Sequence, residues 1–331
     1  MLIPLETQAE LVREASRAPS VHNVQPARWR FTADDGVELW RAVGRELPVG
    51  DPTGHDLAAS LGAAWEGMSI ALSRVGFRLG DPAHVVGSTP VDDAVLVARG
   101  RIERGATPDL LAAHVFARRS HRGRFLSPTP ASCDALQRLA AEDAVIVTDP
   151  AELAAIAELH DRATWHFESN AAYHAELWSW LRLSPRDPRW ARDGLNADCL
   201  ALSPIERAAA RLLLAPRIFA LLRRLGVARH VVSEAAQVRS ATGVVLFAPL
   251  RTMSPFDVGR RFYRLWLELT ATGLHAAPMS ASSDWSESRD TITTRYAIPA
   301  ERRLANVLRA GAAHGVAESA RLPKEKLGIR N

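Results

Sequence analysis

The chain has 331 residues, is 47% hydrophobic and 24% charged, and carries a net charge of +4, the balance of a globular protein of ordinary two-domain size. That composition excludes a largely disordered chain, a collagen-like fibre and a bare amphipathic peptide, and so small a net charge does not require a nucleic-acid partner. No apolar run is long and uncharged enough to cross a bilayer, and the opening MLIPLETQAELVREASRAPS has early acids and no basic-then-apolar layout, so a cytoplasmic protein with no membrane partner is expected.

Residues 5–18 read as an amphipathic helix stopped by Pro19. The stretch PSVHNVQP follows, with proline at each end, and is not helix interior. Apolar and polar residues then alternate around Asp35-Gly36, predicting a hairpin with strands near 28–33 and 37–43. An Ala- and Gly-rich helix is expected over 54–76 and a strand over 93–103. A helix over 107–117 leads into Arg118-Arg119-Ser120-His121-Arg122-Gly123-Arg124-Phe125. Next come a helix over 130–141, a strand over 144–148, and an almost wholly helical stretch from about 150 to 239. A strand over 240–250, a helix over 256–273 and a strand over 306–314 complete the pattern. Helices 54–76 and 256–273 share a texture that fits either internal repetition or simply two buried helices with glycine caps.

Three segments carry the chemistry. In Pro19-Ser20-Val21-His22-Asn23-Val24-Gln25-Pro26 the amides suit a flat heterocycle with alternating donors and acceptors, and they equally suit an Asx-type turn. Arg118-Arg119-Ser120-His121-Arg122 offers guanidinium forks and a hydroxyl for a phosphate dianion, or a solvated basic run. Ser319-Ala320-Arg321-Leu322-Pro323 is the third, and on its own it reads as a tail. Of 41 basic residues only Lys324 and Lys326 are lysine. Cys133 and Cys199 form neither a disulfide framework nor a zinc motif, and His160, His166 and His174 lack zincin spacing, so no metal is expected and these histidines read as surface or lid groups. Trp165, Trp178 and Trp180 suit stacking on a flat ligand, but such a group is more often core and is read so here. There is no GxGxxG, P-loop or GxSxG motif.

Together the three segments resemble the nitroreductase family of FMN-dependent oxidoreductases. Ala18-Pro19-Ser20, Asn23, Gln25 and Pro26 are similar to its APS-x-x-N-x-QPW motif, with Ala27 where tryptophan is common and Trp29 close by. In ordinary homodimeric members the RRS motif comes first. The reversed order here resembles the Acg-like branch, in which one chain holds two halves as a pseudo-dimer. The resemblance implies an α+β fold of two tandem halves, 1–105 and 106–331, with a helical insertion at about 150–239 and one flavin site between them. It implies that Arg118, Ser120, Arg122 and Arg321, with Arg119 beside them, hold the FMN phosphate and ribityl chain. It implies that Pro19, Ser20, Val21, Asn23 and Gln25 touch the ring or ribityl chain, and that Pro278-Met279-Ser280-Ala281 turns backbone N–H toward flavin N5.

The implied activity is NAD(P)H-dependent two-electron reduction of a small-molecule electron acceptor, nitroaromatic or quinone-like. The alternatives are a lidded FMN-binding protein with little turnover, used for storage or sequestration, and a specialised oxidase or dehydrogenase of a biosynthetic intermediate. With the usual dimer interface internal, a monomer is expected.

Overall fold

The computed structural model describes residues 3–328, and in it helix and sheet alternate as the sequence pattern requires. Helix α1 (Leu5–Ala15) buries Leu11, Val12 and Ala15 and ends before Pro19. Strands β1 (Ala27–Phe31) and β2 (Gly36–Ala42) form the predicted hairpin, with Ala27 opposite Arg41 and Phe31 opposite Val37. Helix α2 (His55–Arg74) follows, then β3 (Phe77–Leu79), β4 (Ala83–His84) and the long β5 (Ala94–Arg104). These strands make a first antiparallel sheet in the order β1-β2-β5-β3, with β4 also on β5.

The chain continues with α3 (Pro130–Gln137) and β6 (Ala144–Val147). Helices α4 (Pro150–Glu168) and α5 (Ala171–Trp180), the short strands β7 (Leu181–Arg182) and β8 (Leu195–Asn196), and helices α6 (Pro204–Leu213), α7 (Pro216–Arg224), α8 (Ala228–Val231) and α9 (Ala235–Arg239) fill the helical stretch. Then come β9 (Gly243–Phe247), α10 (Pro255–Ala271), β10 (His275–Pro278), α11 (Ser280–Asp284), α12 (Ser286–Arg295) and β11 (Asn306–Gly311). The second sheet is antiparallel throughout, ordered β10-β11-β9-β6. The fold is therefore α+β, and no described helix is long and apolar enough to cross a membrane.

Three expectations are corrected. Residues 107–117 form only a 3₁₀ turn at Leu110–His114, capped by Asp109, with Leu111, Ala112 and Val115 packed on the core of the first sheet and Leu110 left exposed. Residues 183–203 are mostly irregular, since Pro185, Pro188 and the left-handed Gly194 interrupt any helix there. Trp165, Trp178 and Trp180 are half-buried rather than core, and the Trp180 ring carries Arg45 and Arg182 at 5.7 and 5.6 Å.

The two sheets meet through α2 and α10. Phe256, Tyr263 and Leu267 of α10 belong to the core of the first sheet, whereas Val258, Leu265, Trp266 and Leu269 belong to that of the second. The helices touch backbone to backbone at two glycines. A Cβ added at Gly62 would lie 1.8 Å from the Phe256 carbonyl oxygen, and one at Gly259 would lie 1.8 Å from that of Ala59. Arg260 and Arg264 clamp the pair by binding the buried Glu66 at 3.0 and 2.8 Å.

In an ordinary helix interior, replacing glycine by alanine stabilises by about 0.5–1 kcal/mol. Here the sign reverses. Gly259→Ala is expected to push the helices apart and destabilise by about 3 kcal/mol, seen as a lower denaturant midpoint at unchanged slope. An unchanged midpoint would show that the crossing tolerates a methyl group.

Candidate functional site

The turn after α1 holds three non-glycine residues in the left-handed region, His22 (φ 47°), Asn23 (57°) and Gln25 (52°). Such strain persists only where surrounding contacts over-determine it, and here they do. Asn23 Nδ2 donates to the carbonyls of Gly194 at 3.1 Å and Ala320 at 2.9 Å, while its Oδ1 accepts from Arg321 Nη1 at 2.9 Å. Gln25 Nε2 donates to the Arg192 carbonyl at 2.8 Å, and its Oε1 accepts from the Leu322 N–H at 2.9 Å. Ser20 Oγ accepts from the Gln25 N–H at 3.0 Å. The turn therefore joins three distant parts of the chain: its own, the 190s and the 320s. Val21 opens the 3₁₀ turn, and Pro19 and Ser20 line a cavity of about 20 Å³ beside Trp29, room for about one water.

Arginines converge on this turn. Arg118 is 5% exposed, donates from Nη2 to the Arg17 carbonyl at 2.8 Å, and lies 4.7 Å over the Trp266 ring. Arg321 Nη2 reaches the same carbonyl at 3.3 Å. Arg17 itself pairs with Glu318, a half-exposed acid near the C-terminal segment. Burial, and then the neighbouring cations, lower Arg118 to about 10 and Arg321 to about 9. Burial pushes the Tyr263 hydroxyl up to about 12, with Arg118 and Arg321 opposing it.

Several donors here are buried and unused: Arg118 Nε and Nη1, Arg17 Nε, Arg321 Nε and the Tyr263 hydroxyl. Buried donors without acceptors are costly, and this set converges from four parts of the chain. It is complementary to a dianion with several acceptor oxygens.

The 118–122 motif does not act as one block. Arg119 turns outward to Glu318, at 3.3 Å, and to the carbonyls of Phe116 and Arg118. Ser120 bridges to Ala276, and the His121 N–H donates to the Ala276 carbonyl at 2.9 Å, which pins the loop along β10. Arg122 faces the other way. Burial lowers it, while Cys199 and Glu234 oppose that shift, and its charge adds to burial in bringing His22 down to about 4.

The residue that fixes this loop lies outside the three motif segments. Arg309, fully buried on β11, donates to the carbonyls of Gly123 at 2.8 Å and Arg122 at 2.7 Å. A lone charge inside the apolar strand NVLRAG is the signal that could have found it. Arg17 and Tyr263 carry no comparable signal.

Met279, Ser280 and Ala281 line a separate cavity of about 120 Å³. The Met279 N–H is committed to the Val307 carbonyl at 2.7 Å, whereas the first-turn N–H groups of Ser280 and Ala281 have no acceptor within their helix. The facing wall comes from the helical stretch: His160, Thr164, Phe167, Glu168, Tyr173 and Glu234. His160 Nδ1 lies 2.9 Å from Ser282 Oγ, and its Nε2 lies 3.6 Å from Glu234. Partial burial pushes the Glu234 carboxyl up, but His160, Arg309 and Arg122 outweigh that and hold it at about 2. His174 is bound to Glu168 at 2.6 Å and stacked 3.8 Å from Phe219. Of the two readings, surface or lid, burial removes the surface one for His160 and His174, which sit in or behind the helical wall, while His166 is exposed and stacks on Trp285. Among the described residues no three His, Cys, Asp or Glu side chains are grouped to hold a metal.

No family model matches the chain. Over 73 residues it is 37% identical to a Mycobacterium tuberculosis protein provisionally named NAD(P)H nitroreductase, covering 22% of this chain and 21% of that protein. The match thus spans about a fifth of that relative's length. A second, uncharacterized protein of the same organism is 26% identical over 301 residues, covering 84% of this chain and 79% of the other. Among solved structures, similarity is found to the FMN-dependent nitroreductase NfnB of Mycobacterium smegmatis in complex with NADPH (15% identity, 67% of this chain and 93% of that one, TM-score 0.34). It is also found to a provisionally named nitroreductase of Anabaena variabilis (9% identity, 95% and 90%, TM-score 0.46). At these scores neither likeness bears on activity.

Inorganic phosphate should fill the arginine cluster of the ligand-free protein. At about a hundred times its Kd it is expected to stabilise the fold by about 2.7 kcal/mol, read as a raised melting temperature. Arg118→Met and Arg321→Met should each abolish most of that rise. No rise in the unsubstituted protein would remove the anion from this site.

Proposed function

We propose that the chain is an FMN-dependent oxidoreductase of nitroreductase type, taking electrons from NAD(P)H and passing them in pairs to a small nitroaromatic or quinone-like acceptor. One observation carries the reading: the convergence of Arg17, Arg118, Arg321 and Tyr263 with unused buried donors, at the end of a loop that runs along β10 toward Met279–Ala281. The local likeness to a relative named as an NAD(P)H nitroreductase supports it.

FMN bound there supplies reversible storage of two electrons. The chain's own residues supply place and exclusion. Arg17, Arg118 and Arg321 take the phosphate, with Tyr263 as a neutral donor beneath them. Ser120 and Arg122 continue toward the ribityl chain, and the Ser280 and Ala281 amides stand at the ring end. Arg119, turned to Glu318, serves as an outer cation. Pro19, Ser20 and Val21 form the wall. Asn23 and Gln25 act as positioning residues, because their amides already hold the 190s and 320s segments in place.

In this reading the halves 1–105 and 106–331 form a tandem pseudo-dimer of the Acg-like kind, and a monomer suffices. Two antiparallel sheets on one shared helix pair, crossing at one glycine from each helix, support that arrangement. A second reading, a lidded flavin carrier with little turnover, is favoured by one feature: α4 and α5 of the 150–239 insertion already wall the cavity at Met279–Ala281.

The purified protein is expected to be yellow and to bleach when NADPH or NADH is added without oxygen. Bleaching by dithionite alone would select the lidded reading. A colourless protein that does not take up FMN would overturn both. Replacing Arg118 and Arg321 by Ala together should give a folded protein that has lost FMN over riboflavin discrimination, since only FMN carries the phosphate these residues would hold.

A further inference from the structure

Helix α6 turns its apolar stripe to solvent. Ile205, Ala208, Ala209 and Leu212 recur at i, i+3, i+4 and i+7, the spacing that lines one helix face. All four are exposed, Ile205 to 82% and Leu212 to 60%, and none of the ten residues of α6 is buried. Helix α7 is anchored inward by Phe219, yet leaves Leu221 and Leu225 outside, the latter 65% exposed. An amphipathic helix in a globular protein normally buries this stripe, so an outward one marks a surface that meets something else.

Charge selects the occupant. Between 204 and 230 six arginines, Arg207, Arg211, Arg217, Arg223, Arg224 and Arg229, stand against the single acid Glu206, a net +5 with His230 neutral. Among the described residues none of the six forms an ion pair with a carboxylate; Arg223 donates to the Ser169 carbonyl and Arg229 lies beside His230. A second copy of the chain in a two-fold contact would set this patch against itself, +5 facing +5. The partner is therefore anionic and also admits apolar side chains. Arg211 borders the stripe of α6, and Arg217 and Arg224 border Leu221 on α7; isoleucine and leucine edged by arginine, on helices lying at the protein surface, give the composition of an interfacial helix. The long arginine stems cover apolar surface while their heads reach phosphates.

We propose that the α6–α7 hairpin docks the protein on a bilayer surface rich in anionic lipid, with Ile205, Leu212, Leu221 and Leu225 entering the headgroup boundary. Ten and nine residues are far too few to span the bilayer. The docking is peripheral. It goes beyond the expectation of no membrane partner, which rests on hydropathy and so on spanning segments alone.

The test is flotation of the full-length protein with lipid vesicles. Vesicles of phosphatidylcholine with phosphatidylglycerol should carry the protein, vesicles of phosphatidylcholine alone should not, and about 1 M salt should strip it off by screening. Leu212→Glu should weaken binding at least about tenfold. Changing Arg217 and Arg224 together to Gln should do so by a similar factor. Ile205→Glu, at the other end of the stripe, should repeat the effect should Leu212→Glu lower the melting temperature. Failure to float with anionic vesicles overturns the proposal, as does flotation that all these variants retain. A dimer in solution that Leu212→Glu disperses would assign the patch to a second copy. Capture of an acidic protein helix with no vesicle binding would assign it to that partner. Either result also overturns it.

Discussion

Everything that positions the candidate site hangs on the contact of α2 with α10. At Gly62 and Gly259 the helix backbones touch directly, so side chains elsewhere along the crossing can interdigitate and both sheets can share α10. One and two turns on from Gly259, Tyr263 and Trp266 continue the same helix face. Tyr263 lies among the arginines, and Trp266 lies under the Arg118 guanidinium. A shift of this crossing would move Tyr263 and Trp266 beneath the arginine cluster. Glu66, held by Arg260 and Arg264, opposes such a shift by linking the helices on their polar side.

The chain buries several arginines, and their hydrogen-bond inventories separate scaffold from site. Arg182, 1% exposed, has every nitrogen engaged, with Asp193 at 2.7 and 3.3 Å and the carbonyls of Ser179 and Leu181. Its charge and donors are matched within the fold. Arg309 uses both terminal nitrogens on the loop it holds and leaves only Nε free. Arg118 uses one nitrogen of three, on a carbonyl rather than a carboxylate, with a second and a third cation nearby. Burial of a guanidinium that the fold itself does not neutralise makes sense as preorganisation for an external anion. The scaffold bears the desolvation, and an anion bound there would supply the counter-charge.

Local order is legible in the sequence wherever burial and period agree. The hairpin around Asp35-Gly36 and the helices near 54–76 and 256–273 are predicted within a few residues, because apolar spacing and turn chemistry point the same way. Helix α12, SESRDTITTR, has no apolar period to reveal it and is held mainly by its neighbours. The site is half legible. Its cationic segments stand out as segments, yet Arg17 and Tyr263 join them only through the tertiary fold. Asn23 and Gln25 look like ligand-binding amides until the carbonyls of residues 192, 194 and 320 are seen to occupy them. A single sequence presents donors; which acceptors reach them is decided by chain crossings far away.

The helical stretch between β6 and β9 faces two ways, and its two faces are mechanically joined. Its inner helices α4 and α5 wall the cavity at Met279–Ala281, and its outer helices α6 and α7 carry the solvent-facing stripe. Between them stands His174. One ring nitrogen meets the Glu168 carboxylate, the other meets the Leu214 carbonyl at the end of α6, and the ring lies flat on Phe219 of α7. Glu168 is itself part of the cavity wall. The α6–α7 hairpin is thus tied to that wall through a buried imidazole, and Arg223 of α7 adds a bond to the Ser169 carbonyl at the end of α4. Packed interiors transmit displacements rather than absorb them. The outer surface and the inner cavity thus share the contacts of His174.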